Sequence, residues 1–357
     1  MGEGSPGRPH VLAARSGALA ARFERLYTRY GRIFWTLHSV WALLTGIVVL
    51  VLAHNRYGFV PWVVLFLALT WASTLVFTRF AARWQSRALR FARGFVSYLT
   101  RIMYQETLFF LLPFYFYSTT PWSWNSVFVI LLAALAALSC FDLVFDRLLR
   151  ERRAFALGFF AIVTFSALQF FLPLAFHVKI HHGAYLAAVV SFLAAVPLAY
   201  TGRDLRRPMR VVRLLLALAL VVAIVRLARP AVPPVPLRLA KIRLSADLDP
   251  RTLQTSAELP STVDVGQLTS GRLYAVATIH APTTLPTSIT LRFRCPGAAN
   301  QSSRSLDVVA HERGFRVWNS LKVGPAGLSP GQCVVEVTTT EGQLVGRRRF
   351  ELTGRAD

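Results

Sequence analysis

The sequence predicts an α-helical polytopic membrane domain of about seven transmembrane helices, followed by a C-terminal all-β sandwich domain. Three observations carry this. Hydrophobic residues make up 54% of the 357 and crowd ahead of residue 230, too apolar for an ordinary soluble chain. The connections between apolar spans alternate between Arg-rich and nearly uncharged. Beyond a Pro-rich stretch the pattern changes to short alternating runs separated by turn residues.

Residues 1–34 form a basic tail expected in the cytoplasm. Within 15–33, Leu19, Phe23, Leu26, Tyr27 and Tyr30 share one helical face, with Arg22, Arg25, Arg29 and Arg32 largely elsewhere. That pattern suits a helix lying on the inner membrane surface, against anionic lipids, or a solvated helix obeying the positive-inside rule. The polar start, Met-Gly-Glu-Gly-Ser-Pro-Gly, lacks the apolar core of a cleavable signal, so the first span is expected to target the chain.

The membrane domain, 35–229, is expected to place spans at 35–53, 58–77, 95–117, 124–142, 154–176, 183–200 and 211–228. Each approaches the ~20 residues a helix needs to cross a bilayer. The seventh is the weakest, with Arg213 and Arg226 flanking a short apolar core from which both side chains would snorkel outward. Phe109-Phe110-Leu111-Leu112-Pro113 is echoed by Phe170-Phe171-Leu172-Pro173, and both prolines are expected to kink or end their helices.

Orientation follows from the cations. The tail carries six Arg, the second loop five, the fourth four and the sixth five; the odd-numbered loops offer only Arg56 and Lys179. A cytoplasmic N-terminus and seven spans place the C-terminal domain outside the membrane, on the extracytoplasmic side. The net charge of +23 divides into +18 on residues 1–236 and +5 on 237–357. The excess therefore belongs to the membrane face, and nucleic acid is not an expected partner.

Residues 230–236 form a Pro-rich linker that cannot continue a helix and is expected to run extended as a short spacer. In 237–357, runs at 273–279, 288–293, 305–309 and 334–338 alternate as strands do, and Glu341-Gly342 sits where a hairpin turn would. Six to eight short strands suggest a sandwich of immunoglobulin-like size. Cys140 lies within the fourth span as a packing residue. Cys295 and Cys333 fall in the external domain, where an oxidising compartment permits a disulfide.

Chemistry is concentrated in the third span. Gln105 and Glu106 fall near its centre, with Arg101 one turn before Gln105. Ionisable residues in a membrane face a partner or a cavity, so this cluster either ties the bundle together or handles a substrate or proton. Asp142, Asp146 and Arg150 follow i, i+4 spacing, as in a salt-bridged helix end. His177, His181 and His182 cluster at the outer end of the fifth span, as interfacial histidines or a sparse metal set without Cys, Asp or Glu beside them. In the β domain, Trp318 with Arg313 and Arg316 forms either core or an exposed binding patch. No metal or other cofactor is expected, and no phosphate loop, HExxH or nucleophile elbow occurs where it would work.

Tyr104-Gln105-Glu106-Thr107-Leu108-Phe109-Phe110-Leu111-Leu112-Pro113-Phe114, continuing to Ser118-Thr119-Thr120-Pro121-Trp122, resembles an uncharacterised family of bacterial inner-membrane proteins. In that family's pattern the next helix ends in an Asp, here Asp142. Gly314-Phe315-Arg316-Val317-Trp318-Asn319-Ser320, the stretch 332–337 and the stretch 341–346 with Phe350 resemble a second domain of unknown function that follows such membrane domains. A Trp is usual there where Cys333 stands, so this chain exchanges an aromatic contact for a possible disulfide. Neither resemblance brings an activity.

The expected function is a non-enzymatic envelope protein whose β domain recognises an envelope protein or glycan. The alternative is a membrane-embedded transporter or lipid-processing enzyme centred on Gln105 and Glu106.

Overall fold

The computed structural model describes residues 87–354 apart from 250–251, 256, 269–270, 297–302, 310, 312–313 and 324–330, together with isolated helical positions between 40 and 73. The basic tail and most of the first two predicted spans lie outside the described residues, as does Arg313.

Helix α1 (Arg87–Tyr117) is 31 residues long, longer than the predicted third span because it begins inside the Arg-rich loop. Pro113 sits within it without ending it, and the turn continues until the Thr119 amide closes onto the Phe116 carbonyl at 3.1 Å. The predicted fourth span, 124–142, corresponds to one helix, and a second follows it directly. Helix α2 (Ser126–Cys140) stops where Phe141 leaves helical geometry at φ −91° and ψ 76°, and α3 (Asp142–Glu151) starts afresh. Asp142 therefore opens a helix rather than closing a span. In α3 Arg147 approaches Glu151 at 4.0 Å; the side chains of Asp142 and Arg150 lie outside the described residues, and Asp146 is not without a partner.

Helix α4 (Arg153–Phe176) also carries an internal proline, Pro173, and ends on His177 in the left-handed region. Helix α5 (Ile180–Ala199) returns, and a single turn capped by Thr201 and Asp204 leads to α6 (Pro208–Leu227), which starts on the proline its first turn tolerates. Among the described residues, α4, α5 and α6 are long and apolar enough to cross a membrane. Helix α1, with Arg101, Gln105 and Glu106, is not among them, and α2 at 15 residues is short.

The helices pack on an aromatic core. Phe114 meets Phe170 at 4.6 Å, Tyr104 meets Phe159 edge-on at 5.3 Å, and Phe145 meets Phe159 at 4.9 Å. Such pairs add roughly 0.5–1.5 kcal/mol each beyond area burial. Helix α6 has no buried residue and exposes Val212, Leu215, Leu216, Leu220 and Ile224. An uninterrupted apolar exterior of this kind suits lipid rather than water.

The β domain is a two-sheet sandwich. Strands β1 (Arg238–Ser245), β3 (Arg272–His280) and β6 (Phe315–Lys322) form a three-stranded antiparallel sheet in the order β1-β3-β6. Strands β2 (Thr262–Asp264), β4 (Ser288–Arg294), β5 (Ser303–Asp307), β7 (Gly331–Thr339) and β8 (Leu344–Thr353) form the other, in the order β2-β8-β7-β4-β5. Alternation directs Ile289, Leu291 and Phe293 of β4 and Cys333, Val335 and Val337 of β7 into one shared core. Asn319 is buried there too, donating to the Leu291 carbonyl at 3.0 Å and tying the two sheets together. Cys295 and Cys333 are bonded, with Cα atoms 4.4 Å apart. Gly346 is required where β8 passes β1, because a Cβ there would lie 2.0 Å from Leu239 Cδ2.

The predicted spacer is instead a folded joint. Arg229–Ala231 makes a 3₁₀ turn, Val235-Pro236 is cis, and residues 232–237 are buried. Val235 packs with the helix core and Leu237 with the sandwich core. The prolines exclude a helix, as expected, but the apolar residues between them draw the segment into both cores.

Candidate functional site

On the outer face of the three-stranded sheet, strand register sets side chains in rows. Arg243 pairs with Val276, which pairs with Trp318; Lys241 pairs with Thr278, which pairs with Arg316; Arg272 pairs with Lys322. Alternation turns Val317, Asn319 and Leu321 inward and leaves Arg316, Trp318 and Ser320 outside. Trp318 is thus half-buried on the face rather than in the core. The Arg304 guanidinium, from β5 of the other sheet, lies over its ring at 4.1 Å, and Tyr274 is 6.3 Å away. A cation over indole contributes about 0.5–1 kcal/mol at an exposed site and fixes the ring's orientation.

Beside that ring runs a groove of about 480 Å³ lined by Lys241, Arg243, Gln254, Thr255, Thr278 and Arg316. One carboxylate is committed at its edge: Glu258 pairs with Lys241 at 2.5 Å, with Arg348 at 2.9 Å and with Arg243 at 4.0 Å. The hydrogen bond from Lys241 foremost, aided by Arg348, holds Glu258 below the usual carboxylate range. Arg348 also donates to the Ile242 and Leu259 carbonyls, so it closes the sandwich edge as well as neutralising Glu258. One carboxylate among Lys241, Arg243 and Arg348, with Arg316 across from them, leaves the groove net positive over a floor of Val276 and Thr278, suited to an acidic or hydroxyl-rich ligand beside an aromatic plate.

The opposite edge of the sandwich is fastened to the helices. His181 Nδ1 lies 2.9 Å from Glu341, and Arg229 approaches the same carboxylate at 3.7 Å. Asn125 donates to the Leu344 carbonyl at 3.0 Å, Gln343 to Val232 at 3.2 Å and Arg347 to Trp122 at 2.6 Å. Arg238 lies over the Tyr117 ring at 4.5 Å, and Ile180, the first residue of α5, is buried in the sandwich core. His181 is thus drawn to a carboxylate on the hairpin turn. Among the described residues, no three His, Cys, Asp or Glu side chains converge as a metal site requires.

Within the helices, Gln105 is buried and Glu106 half-buried on α1, and neither is without a partner. The buried polar contact that sequence reasoning missed lies further along α1. Tyr115, fully buried, donates to the Ser166 carbonyl at 2.9 Å and meets Gln169 at 3.3 Å. Gln169 in turn donates to the Pro233 carbonyl at 3.4 Å, linking α1 and α4 to the joint. A glutamine one turn before Pro173 in an otherwise apolar span was the available signal.

A family model described as a family of unknown function (DUF5924) matches residues 17–275. The chain belongs to this family. The match takes in the stretch 104–122, every helix described above, and β1, β2 and the start of β3, so family membership extends across the joint into the sandwich. No curated protein matches the chain.

Proposed function

We propose that the protein is a multi-pass bacterial inner-membrane protein with seven spans, a cytoplasmic N-terminus and a periplasmic β domain. Its outer sheet face recognises an envelope protein or glycan. The alternation of Arg-rich and uncharged loops supports the topology. The observation that carries the recognition reading is Trp318, held flat under Arg304 beside a groove edged by Lys241, Arg243 and Arg316. An aromatic plate with fixed cations next to it is a binding surface for sugars or acidic side chains. The joint to the helices supports the same reading, because it holds that face in one orientation to the membrane.

Complementation of a chromosomal deletion, scored by envelope-stress sensitivity, tests this. Trp318→Ala combined with Arg316→Ala is expected to fail to restore the deletion while accumulating in membranes at the parental level. Glu106→Gln is expected to restore it. The opposite pattern would move function into the helices, to a transporter or lipid-processing site around Gln105 and Glu106.

A further inference from the structure

A second groove, of about 500 Å³, opens where the helices meet the sandwich; its walls include Trp122, Trp124, Val127, Leu344, Arg347 and Arg349. Trp122 is 95% exposed and Trp124 76%, although indole is costly to leave in water. The loop that carries them is nevertheless tightly held. Asn125 is buried, accepts from the Thr120 amide at 3.2 Å and from the Ser123 hydroxyl, and donates to β8 at Leu344. The Ser126 hydroxyl donates to the Thr120 carbonyl at 3.1 Å. Trp122 itself sits at φ 57°, a backbone conformation disfavoured for a bulky residue, and its carbonyl is fixed by Arg347. The loop therefore presents two indoles in a set position instead of folding them inward.

The surroundings of the two rings are ordered along one direction. On the sandwich side stand Arg347 and Arg349, alternate residues of β8 that share one sheet face. Glu336, the carboxylate opposite Arg347, is held by Arg294 at 3.1 Å. On the helix side Val127, Ile130 and Leu131, at i, i+3 and i+4 on α2, are all exposed and continue from the groove along the helix. Cation, indole and aliphatic surface in that order match the sequence of phosphate, interface and acyl chain in a bilayer leaflet.

We propose that this groove holds an outer-leaflet glycerophospholipid. Its phosphate lies on Arg349 and the unused donors of Arg347, its glycerol region against Trp122 and Trp124, and an acyl chain along Val127, Ile130 and Leu131. The inference rests on the reading that the β domain sits at the periplasmic surface of the membrane. A soluble phosphate would use the arginines but leave the indoles and the apolar stripe in water, so the lipid is the occupant that satisfies the whole groove.

The test uses full-length protein. An alkaline carbonate wash of membranes comes first: release of the chain would sink the membrane reading and the lipid site with it, whereas retention isolates the lipid question. Native mass spectrometry of the detergent-solubilised protein then follows phosphatidylglycerol adducts. Arg349→Gln, an exposed substitution, should weaken adduct formation roughly tenfold, and Trp122→Ala with Trp124→Ala should weaken it comparably. Arg147→Gln, at an exposed cation on α3 away from both grooves, should leave it unchanged, and millimolar inorganic phosphate should not displace the lipid. Equal adducts in parent, Arg349→Gln and the double Trp variant would overturn the proposal, as would displacement by inorganic phosphate.

Discussion

The two ends of the β-sandwich carry similar residues and use them differently. At the edge facing the helices, the charged and amide side chains reach across to the membrane domain: Glu341 to His181 and Arg229, Arg347 to the Trp122 carbonyl, Asn125 and Gln343 across the same boundary. On the outer face of the three-stranded sheet, Lys241, Arg243 and Arg316 border an open groove, and Trp318 lies against another arginine rather than in the core. The first set fixes a position and the second presents a surface. The difference teaches that charge alone does not mark a binding face in this chain; what separates the two ends is whether each charge already has a partner across the domain boundary.

The largest expected effect is one that erases the comparison, by unfolding both ends together. Replacing Cys295 and Cys333 by Ser removes a crosslink across 38 residues of chain. It should lower the stability of the β domain by about 2–4 kcal/mol, read as earlier thermal unfolding of the purified protein. Next comes Asn125→Ala, which takes partners from the Leu344 carbonyl and the Thr120 amide. A loss of about 1–3 kcal/mol is expected, seen as faster protease cleavage within 230–237, while the outer face keeps its ligand. Trp318→Ala should reverse that pattern, with stability changed by about 0.5–1 kcal/mol through loss of the Arg304 contact and recognition abolished.

The smallest effect concerns pH at the groove's edge. Glu258 is held below its ordinary range by Lys241, so the folded state binds this proton less readily than the unfolded chain. Its contribution to stability is therefore present above the usual glutamate pKa of about 4.3 and lost as pH falls below it. Melting temperatures at pH 7 and pH 4 should differ less in Glu258→Gln than in the parent. An equal difference would mean that the Lys241–Glu258–Arg348 cluster contributes nothing.

Much of this architecture was legible because it rests on periodicity. Ile289, Leu291 and Phe293 alternate cleanly and form a strand, and the apolar lengths around 154–176 and 183–200 closely mark α4 and α5. What was not legible depended on contacts between distant segments. The predicted fourth span ends at 142, next to the break at Phe141, but composition gives no sign that Asp142 opens a further helix. The prolines of 230–236 forbid a helix without saying whether the chain runs out or folds back; Val235 and Leu237 decide that by burying themselves in different cores. On β6 the inward positions include polar Asn319, which hides the alternation that would have turned Trp318 outward. Gln105 and Glu106 stood out as polar residues in an apolar run, while the Tyr115–Gln169–Pro233 link needs the tertiary fold to bring its parts together.

The most direct test of the contrast between the two ends places a photo-crosslinking amino acid at each, in living cells. Lys322 and Arg272, neighbours on the outer face, represent that face; Glu341 and Arg349 represent the edge against the helices. A discrete protein or glycan adduct trapped from the outer positions, with none from the edge, is the predicted result. The same partner trapped from the edge, or no adduct from well-expressed outer positions, would contradict the assignment of recognition to that face.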